Sequence, residues 1–366
     1  MKKLALLGVI VTAFTLVSCG GSNQIPNNIV LPGSAQTSSG TPTYGAGTEE
    51  LNAFNAINSF RLSMGLGLWA QNVFLDESAR NHMQYSIANS AGVTNPFQND
   101  IEVQSVNGVP TTGFTGIQPS ARAIAVGYYY LTNTVTAFNI PTAAVGELYS
   151  TGAGADVVNA MANTIYHRSA LMAQSTVSVG LARDTSGPIS ATAATPTHWW
   201  INHGRLTSSQ SVNSNYMGNY PLDQQTNVPL HMDAEYPSVF TNTPDKDFIN
   251  GTSSPVSLTL SVEDNIAVTQ FIVSQAGTSA QLPGTVWTMA NDPNLNTADY
   301  SAATLNLTTP PAPVPTLASN EAYWVGNAPF LPNTTYNVTV TGTTFLIPYG
   351  LTNPFTKSWS FTTGAN

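Results

Sequence analysis

The chain has 366 residues, of which only 8% are Asp, Glu, Lys or Arg, and its formal net charge is −9. It holds no basic patch or Lys/Arg run, which speaks against a nucleic-acid partner, and its single cysteine, Cys19, rules out a disulfide within the monomer. The length allows two folded units of ordinary size, with surfaces solvated mainly by Asn, Gln, Ser and Thr.

In chain order, Lys2 and Lys3 precede an apolar run from Leu4 to Val17, closed by Leu16-Val17-Ser18-Cys19. The run is short for a membrane span and reads as a cleaved export signal over residues 1–19. Leu-Val-Ser-Cys resembles a bacterial lipobox, which implies cleavage before Cys19 and diacylation of its sulfur, so the expected partner is a membrane held through a lipid anchor. Gly20 after Cys19 is compatible with outer-membrane sorting; the expected location is a cell or outer membrane, facing the extracytoplasmic side. Residues 20–44 are rich in Gly, Ser, Asn, Gln, Thr and Pro and read as a flexible tether.

Residues 45–205 have a largely helical period up to about Met172. Thr48 is placed to cap a helix that starts at Glu49-Glu50, with the acidic pair at the positive end of the dipole. Leu51, Phe54, Ile57 and Arg61 share a face, and Gly65 ends the helix. A second helix is expected from about Asp76 to Asn89, a short one after Pro119-Ser120, and a fourth from about Ala155 to His167. Strands are expected over Val177–Ala182 and His198–Asn202. Residues 206–247 show no clear period and read as a connector. Within it, His231-Met232-Asp233-Ala234-Glu235 reads as an exposed polar loop rather than a metal cluster. From residue 248 on, the period becomes two: Val256, Leu258, Leu260 and Val262, then Tyr336, Val338 and Val340, then Trp359 and Phe361 alternate with polar residues.

Several segments agree in order with one family. Leu51 to Arg61 with Gly65-Leu66, Leu75 to Met83, Gly113-Phe114-Thr115-Gly116 with Pro119 and Arg122, Gly146-Glu147-Leu148, His167 to Met172 with Val179-Gly180-Leu181, and Trp199 to Gly204 follow one another. Together they resemble the CAP family of cysteine-rich secretory, antigen 5 and pathogenesis-related 1 proteins, in its bacterial branch. The segments Leu331–Val340 and Lys357–Thr363 resemble the last two strands of bacterial Ig-like domains. The fold class these resemblances imply is α+β: a CAP-type α-β-α sandwich over 45–205, followed by an all-β Ig-like sandwich over 248–366.

The family resemblance implies a cleft holding two His and two acidic residues, some of which bind a divalent metal such as zinc. Glu147 and His167 map onto two of those positions. The expected upstream His is missing, since no His lies between His82 and His167, and Asp100 or Glu102 stands nearest in its place. An acidic residue cannot supply the nitrogen that zinc prefers. Each residue also has a structural reading: Glu147 as acceptor for Arg168, His167 as a helix-end residue favoured by the dipole. No Gly-x-Ser-x-Gly elbow accompanies the Ser and His residues. The expectation is therefore a non-enzymatic surface lipoprotein that binds a lipid or cell-envelope ligand. A metal-dependent hydrolase and an adhesin acting through the Ig-like part are the alternatives.

Overall fold

The computed structural model describes residues 35–89, 102, 104–106, 109–133, 139–184, 197–207, 210–212, 214–235, 237–240, 247–262, 264–294, 317–346 and 351–365. Cys19 and Asp100 lie outside them.

The first helix, α1 (Glu49–Ser63), begins where the sequence places it: Thr48 Oγ1 accepts from the Leu51 amide at 3.3 Å. At its other end Gly65 has φ of 72°, the left-handed region that glycine enters without a Cβ clash. Arg61 is fully buried, and its guanidinium donates to the carbonyls of Gly67 (2.8 Å), Leu171 (2.7 Å) and Ala173 (3.1 Å). Strand β1 (Ala70–Gln71) leads into α2 (Val73–Ala88), which Asn72 caps through Phe74 N–H at 3.0 Å. A short ribbon, β2 (Ser105–Val106) and β3 (Val109–Pro110), precedes α3 (Pro119–Ala125). A second ribbon, β4 (Tyr130–Asn133) and β5 (Asn139–Thr142), precedes β6 (Ala144–Thr151).

The helix expected over 155–167 is broken in two. It becomes α4 (Val157–Ala162) and α5 (Tyr166–Leu171), each of six residues. At the break the Thr164 hydroxyl bonds back to the Met161 carbonyl at 2.8 Å, the local competition that Ser and Thr offer to a helical ladder. Strands β7 (Ser178–Asp184) and β8 (His198–Arg205) complete a four-stranded sheet in the order β1-β7-β8-β6, with β1 parallel to β7 and the other pairs antiparallel. Helix α2 crosses this sheet at Gly180, where a Cβ would lie 2.1 Å from the Leu75 carbonyl carbon; only glycine permits that approach.

The segment read as a connector supplies two strands. β9 (Met217–Tyr220) pairs with β11 (Val256–Leu260), and β10 (Gln225–Val228) pairs in parallel with β16 (Leu351–Thr363). Helix α6 (Phe248–Gly251) lies between β10 and β11 in sequence. With β12 (Asp264–Gln275), β13 (Gly284–Thr288), β14 (Glu321–Gly326) and β15 (Thr335–Leu346), they form two sheets, β10-β16-β15-β12 and β13-β14-β11-β9. Leu258 and Leu260 from one sheet and Val338, Val340, Trp359 and Phe361 from the other meet in one core with Trp324 and Phe271, whereas Val262, past the end of β11, is exposed. Burying such side chains stabilises each by about 1.5–3 kcal/mol.

The expected α+β class with a CAP-type α-β-α sandwich is overturned. Among the described residues strand outweighs helix, in three small four-stranded sheets and two ribbons, with six helices of which only α1 and α2 exceed seven residues. Two physical causes shift the balance. Asn163-Thr164 divides the longest late helix, and the aperiodic 206–247 segment gains its strands by pairing with distant partners, which local periodicity does not register. The end of the expected tether also differs from a free coil. Gln36 N–H donates to Gln210 Oε1 at 2.8 Å, its carbonyl accepts from Leu68 N–H at 2.8 Å, and Thr43 N–H donates to Gln71 Oε1 at 2.6 Å.

Candidate functional site

Glu147 lies on β6 opposite Asn202 of β8, which in turn faces Gly180 of β7. This register carries its side chain beneath α2 and α3. His82 Nδ1 of α2 is 2.5 Å from Glu147 Oε1, and Arg122 Nη2 of α3 donates to the same oxygen at 3.1 Å. The second oxygen is served by Asn202: with its amide nitrogen 2.6 Å from Glu147 Oε2, its oxygen accepts from Ser78 Oγ (2.8 Å) and Ala79 N–H (3.2 Å). Glu147 and His82 side chains are 2% and 3% exposed, so this is an interior network. Burial pushes the Glu147 carboxyl up, but the charges and hydrogen bonds of His82 and Arg122 outweigh it and hold the group below the usual carboxylate range.

Glu102 belongs to the edge of the same network. Its carboxylate is fully buried, 4.0 Å from Arg122 Nε, and accepts from Thr115 N–H, Thr115 Oγ1 and, at 3.1 Å, Gly116 N–H. It secures the loop before α3. It does not fill a vacant ligand position, because backbone and hydroxyl donors already surround it.

His167 is not brought to Glu147. Its Nδ1 lies 3.2 Å from Glu235 Oε2, and Glu235 also accepts from the N–H groups of Ile165 (2.8 Å) and Tyr166 (2.9 Å). Glu235 thus caps the start of α5, a favourable place for an anion beside unpaired N–H groups. Residues 231–235 do form a loop, but not an exposed one: Met232 is fully buried and the Glu235 side chain is shielded from solvent. The rest of the segment continues into the β region. Tyr166 Oη donates to Asp292 at 2.5 Å, Arg168 donates to the Pro255 carbonyl (2.9 Å) and Ser257 Oγ (3.1 Å), and Ser169 Oγ donates to Glu321 at 2.6 Å. The Arg168 guanidinium sits 4.5 Å over the Tyr220 ring. The role foreseen for Arg168, partner of Glu147, is filled by Arg122.

His203 stacks on Trp69 with ring centres 5.2 Å apart and planes 2° from parallel. Its Nε2 would be 2.6 Å from a Cβ at position 146, so Gly146 makes room for the ring. Burial, with Arg61 nearby, pulls its pKa down to about 4 and keeps it neutral. Among the described residues no three His, Cys, Asp or Glu side chains converge as a metal site.

Two participants carry no signal in the sequence: Glu235 stands in a stretch expected to be exposed, and Asn202 in a strand pattern. The position of Asn202 opposite Glu147 follows from the β6–β8 register, which a single sequence does not reveal. Comparison of the chain with protein-family models, curated proteins and solved structures finds no match. The resemblance noted in the sequence therefore has no support from these comparisons.

One open feature accompanies the closed network. A cleft of about 260 Å³ lies along α2 and the end of β7, lined by Thr43, Tyr44, Glu50, Asp76, Arg80 and Arg183 among others. Asp76 is held on three sides, by Tyr44 Oη (2.6 Å), Gln71 Nε2 (2.6 Å) and Leu181 N–H (2.7 Å).

Proposed function

We propose that the chain is an exported, lipid-anchored envelope protein that binds a ligand and does not transform one. The observation that carries the non-catalytic part of this reading is the state of Glu147: His82, Arg122 and Asn202 engage both of its oxygens in a buried network, with the side chain 2% exposed and so out of reach of a substrate. A general base must reach the proton it removes, and a catalytic zinc needs three protein ligands with an open position. The export and anchoring part of the proposal rests on Leu16-Val17-Ser18-Cys19 after an apolar run. The ordered motifs of the first half, and not the arrangement of its layers, remain the argument for kinship with the CAP family.

Two measurements test the two parts. In expressing bacterial cells fed a clickable palmitate analogue, the wild-type chain should take up label and the Cys19→Ser variant should not; label on neither would remove the anchor. The purified full chain in detergent should co-sediment with isolated envelope material, and should release no product from it. Turnover abolished by Glu147→Gln would replace binding with catalysis.

A further inference from the structure

We propose that the outer face of the sheet β10-β16-β15-β12 is a docking surface for an uncharged glycan strand, which would be the envelope ligand of the binding reading above and rests on that reading for its role.

Strand register sets the side chains of this face in rows. β15 pairs with β12 on one side and β16 on the other, and side chains alternate between the core and the outer surface. Val338, Val340, Trp359 and Phe361 point into the core. Their neighbours along the strands point out: Thr339 stands between Ile272 and Ser358, and Phe345 between Asn265 and Thr352. Hydroxyl pairs across the strands show that these groups share one surface. Thr335 meets Thr362 at 2.9 Å, Thr339 meets Ser358 at 2.9 Å, and Thr269 meets Thr341 at 3.1 Å.

The chemistry of these rows selects the ligand. Among the described residues, the outward positions of β12, β15 and β16 carry no Asp, Glu, Lys or Arg; Asp264 and Lys357 fall on the core side of the alternation. One charge stands at the rim: Asp223, exposed at the β10 edge, accepts from the Ser360 N–H at 3.0 Å. A chain of net charge −9 repels anionic polymers, and a face without cations gives them no counter-charge. A hydroxyl both donates and accepts. The Thr335–Thr362 and Thr339–Ser358 contacts each use one proton, so each pair keeps a second proton and free lone pairs for an outside partner. That mixed character matches sugar hydroxyls. An anion needs donors alone, and a cation needs acceptors alone.

Phe345 adds an apolar plate at one end of the rows. It is 43% exposed, with the Asn265 amide and the Thr352 hydroxyl in register on either side. Aromatic area beside a few placed polar groups is the ordinary composition of a ligand contact. The C–H face of a pyranose stacks on such a ring while its hydroxyls reach the polar groups alongside. From Thr335 to Phe345 the strand runs roughly 34 Å at about 3.4 Å per residue, the length of several sugar units.

The test uses the purified full chain in detergent, titrated calorimetrically with chitohexaose, maltoheptaose and mannohexaose, and with a galacturonate oligomer as the anionic comparison. Saturable binding of at least one neutral probe is expected, tighter than that of the galacturonate and nearly constant between about 50 and 300 mM salt. Affinity should fall at least about fivefold in Phe345→Ala and in Thr356→Arg, both at exposed positions of the face, with urea midpoints close to that of the wild-type chain. Ile249→Ala, 61% exposed on α6, should leave it unchanged. No saturable binding of any neutral probe, binding untouched by both face substitutions, or tighter and salt-sensitive binding of the galacturonate overturns the proposal. So does a dimer in sedimentation velocity that Thr356→Arg abolishes, which would give the face to a second copy of the chain. If the neutral probes fail while envelope co-sedimentation persists, this face falls and the binding reading stands; if both fail, the binding reading falls too.

Discussion

Glu147 and Glu235 each meet a histidine, His82 in one case and His167 in the other, yet the two meetings serve different ends. Around Glu147 every partner comes from residues 45–205, from α2, α3 and β8, and the network closes on itself beneath the helices. Around Glu235 the partners reach outward: His167 belongs to a four-residue segment whose side chains bond to Glu235, Asp292, Ser257 and Glu321. The pair expected to share one cleft is thus divided between a sealed interior and an internal seam. A histidine near a carboxylate is weak evidence for chemistry until its other neighbours are known.

The seam gives the largest way to break this comparison. Arg168→Ala should cost about 3 kcal/mol or more in urea unfolding, because it strands the Pro255 and Ala162 carbonyls and the Ser257 hydroxyl in a buried site. A loss under about 1 kcal/mol would mean that the seam is not held by this segment.

The two regions should also respond to pH with opposite sign. Burial pushes Glu321, at the seam, up to about 7 in spite of Ser169 and Arg168. A carboxyl whose folded pKa exceeds its unfolded value favours the folded state when protonated. Its contribution is full below about pH 4.5 and lost as pH rises to about 7, on the order of 3 kcal/mol at most. Glu147, held low, contributes stability that is present above its ordinary pKa and lost as pH falls below it. Unfolding free energy should therefore rise as pH is lowered from 7.5 to 5.5, and Glu321→Gln should flatten that rise. A slope unchanged in Glu321→Gln would assign it to another group.

Smaller effects sharpen the picture. Glu235→Ala should cost about 1–2 kcal/mol through loss of the α5 cap, with the Tyr166 and Ile165 amides left unpaired. His167→Ala should cost less than Glu235→Ala in the same assay, since the histidine contributes one contact and the carboxylate several. Arg80→Ala should change stability by under about 0.5 kcal/mol, which makes it a clean probe of the cleft.

Much of the local structure was legible in the sequence. Thr48, Glu49-Glu50 and Gly65 mark the ends of α1 by capping, dipole and left-handed geometry, and the period-two runs mark β11, β15 and β16. The fold class was not legible. Its determinants are pairings such as β10 with β16, separated by more than a hundred residues, and a helix break at Asn163-Thr164 that is fixed by bonds made in three dimensions. The site was half legible. Glu147 is the centre of a polar network, but its histidine partner is the one on the α2 face, and the segment Tyr166–Ser169 is a docking element whose partners lie about 70–150 residues away.

The central claim is that Glu147 is a satisfied structural carboxylate and not a catalytic one. Active-site groups held for function are commonly destabilising, so their removal is neutral or favourable to folding. Removing one partner of a buried ion pair costs about 3–5 kcal/mol. Urea unfolding of Glu147→Ala beside the wild-type chain separates the two. A loss of about 3–5 kcal/mol is expected, because His82 and Arg122 both lose a buried carboxylate partner; unchanged or increased stability would contradict a structural role.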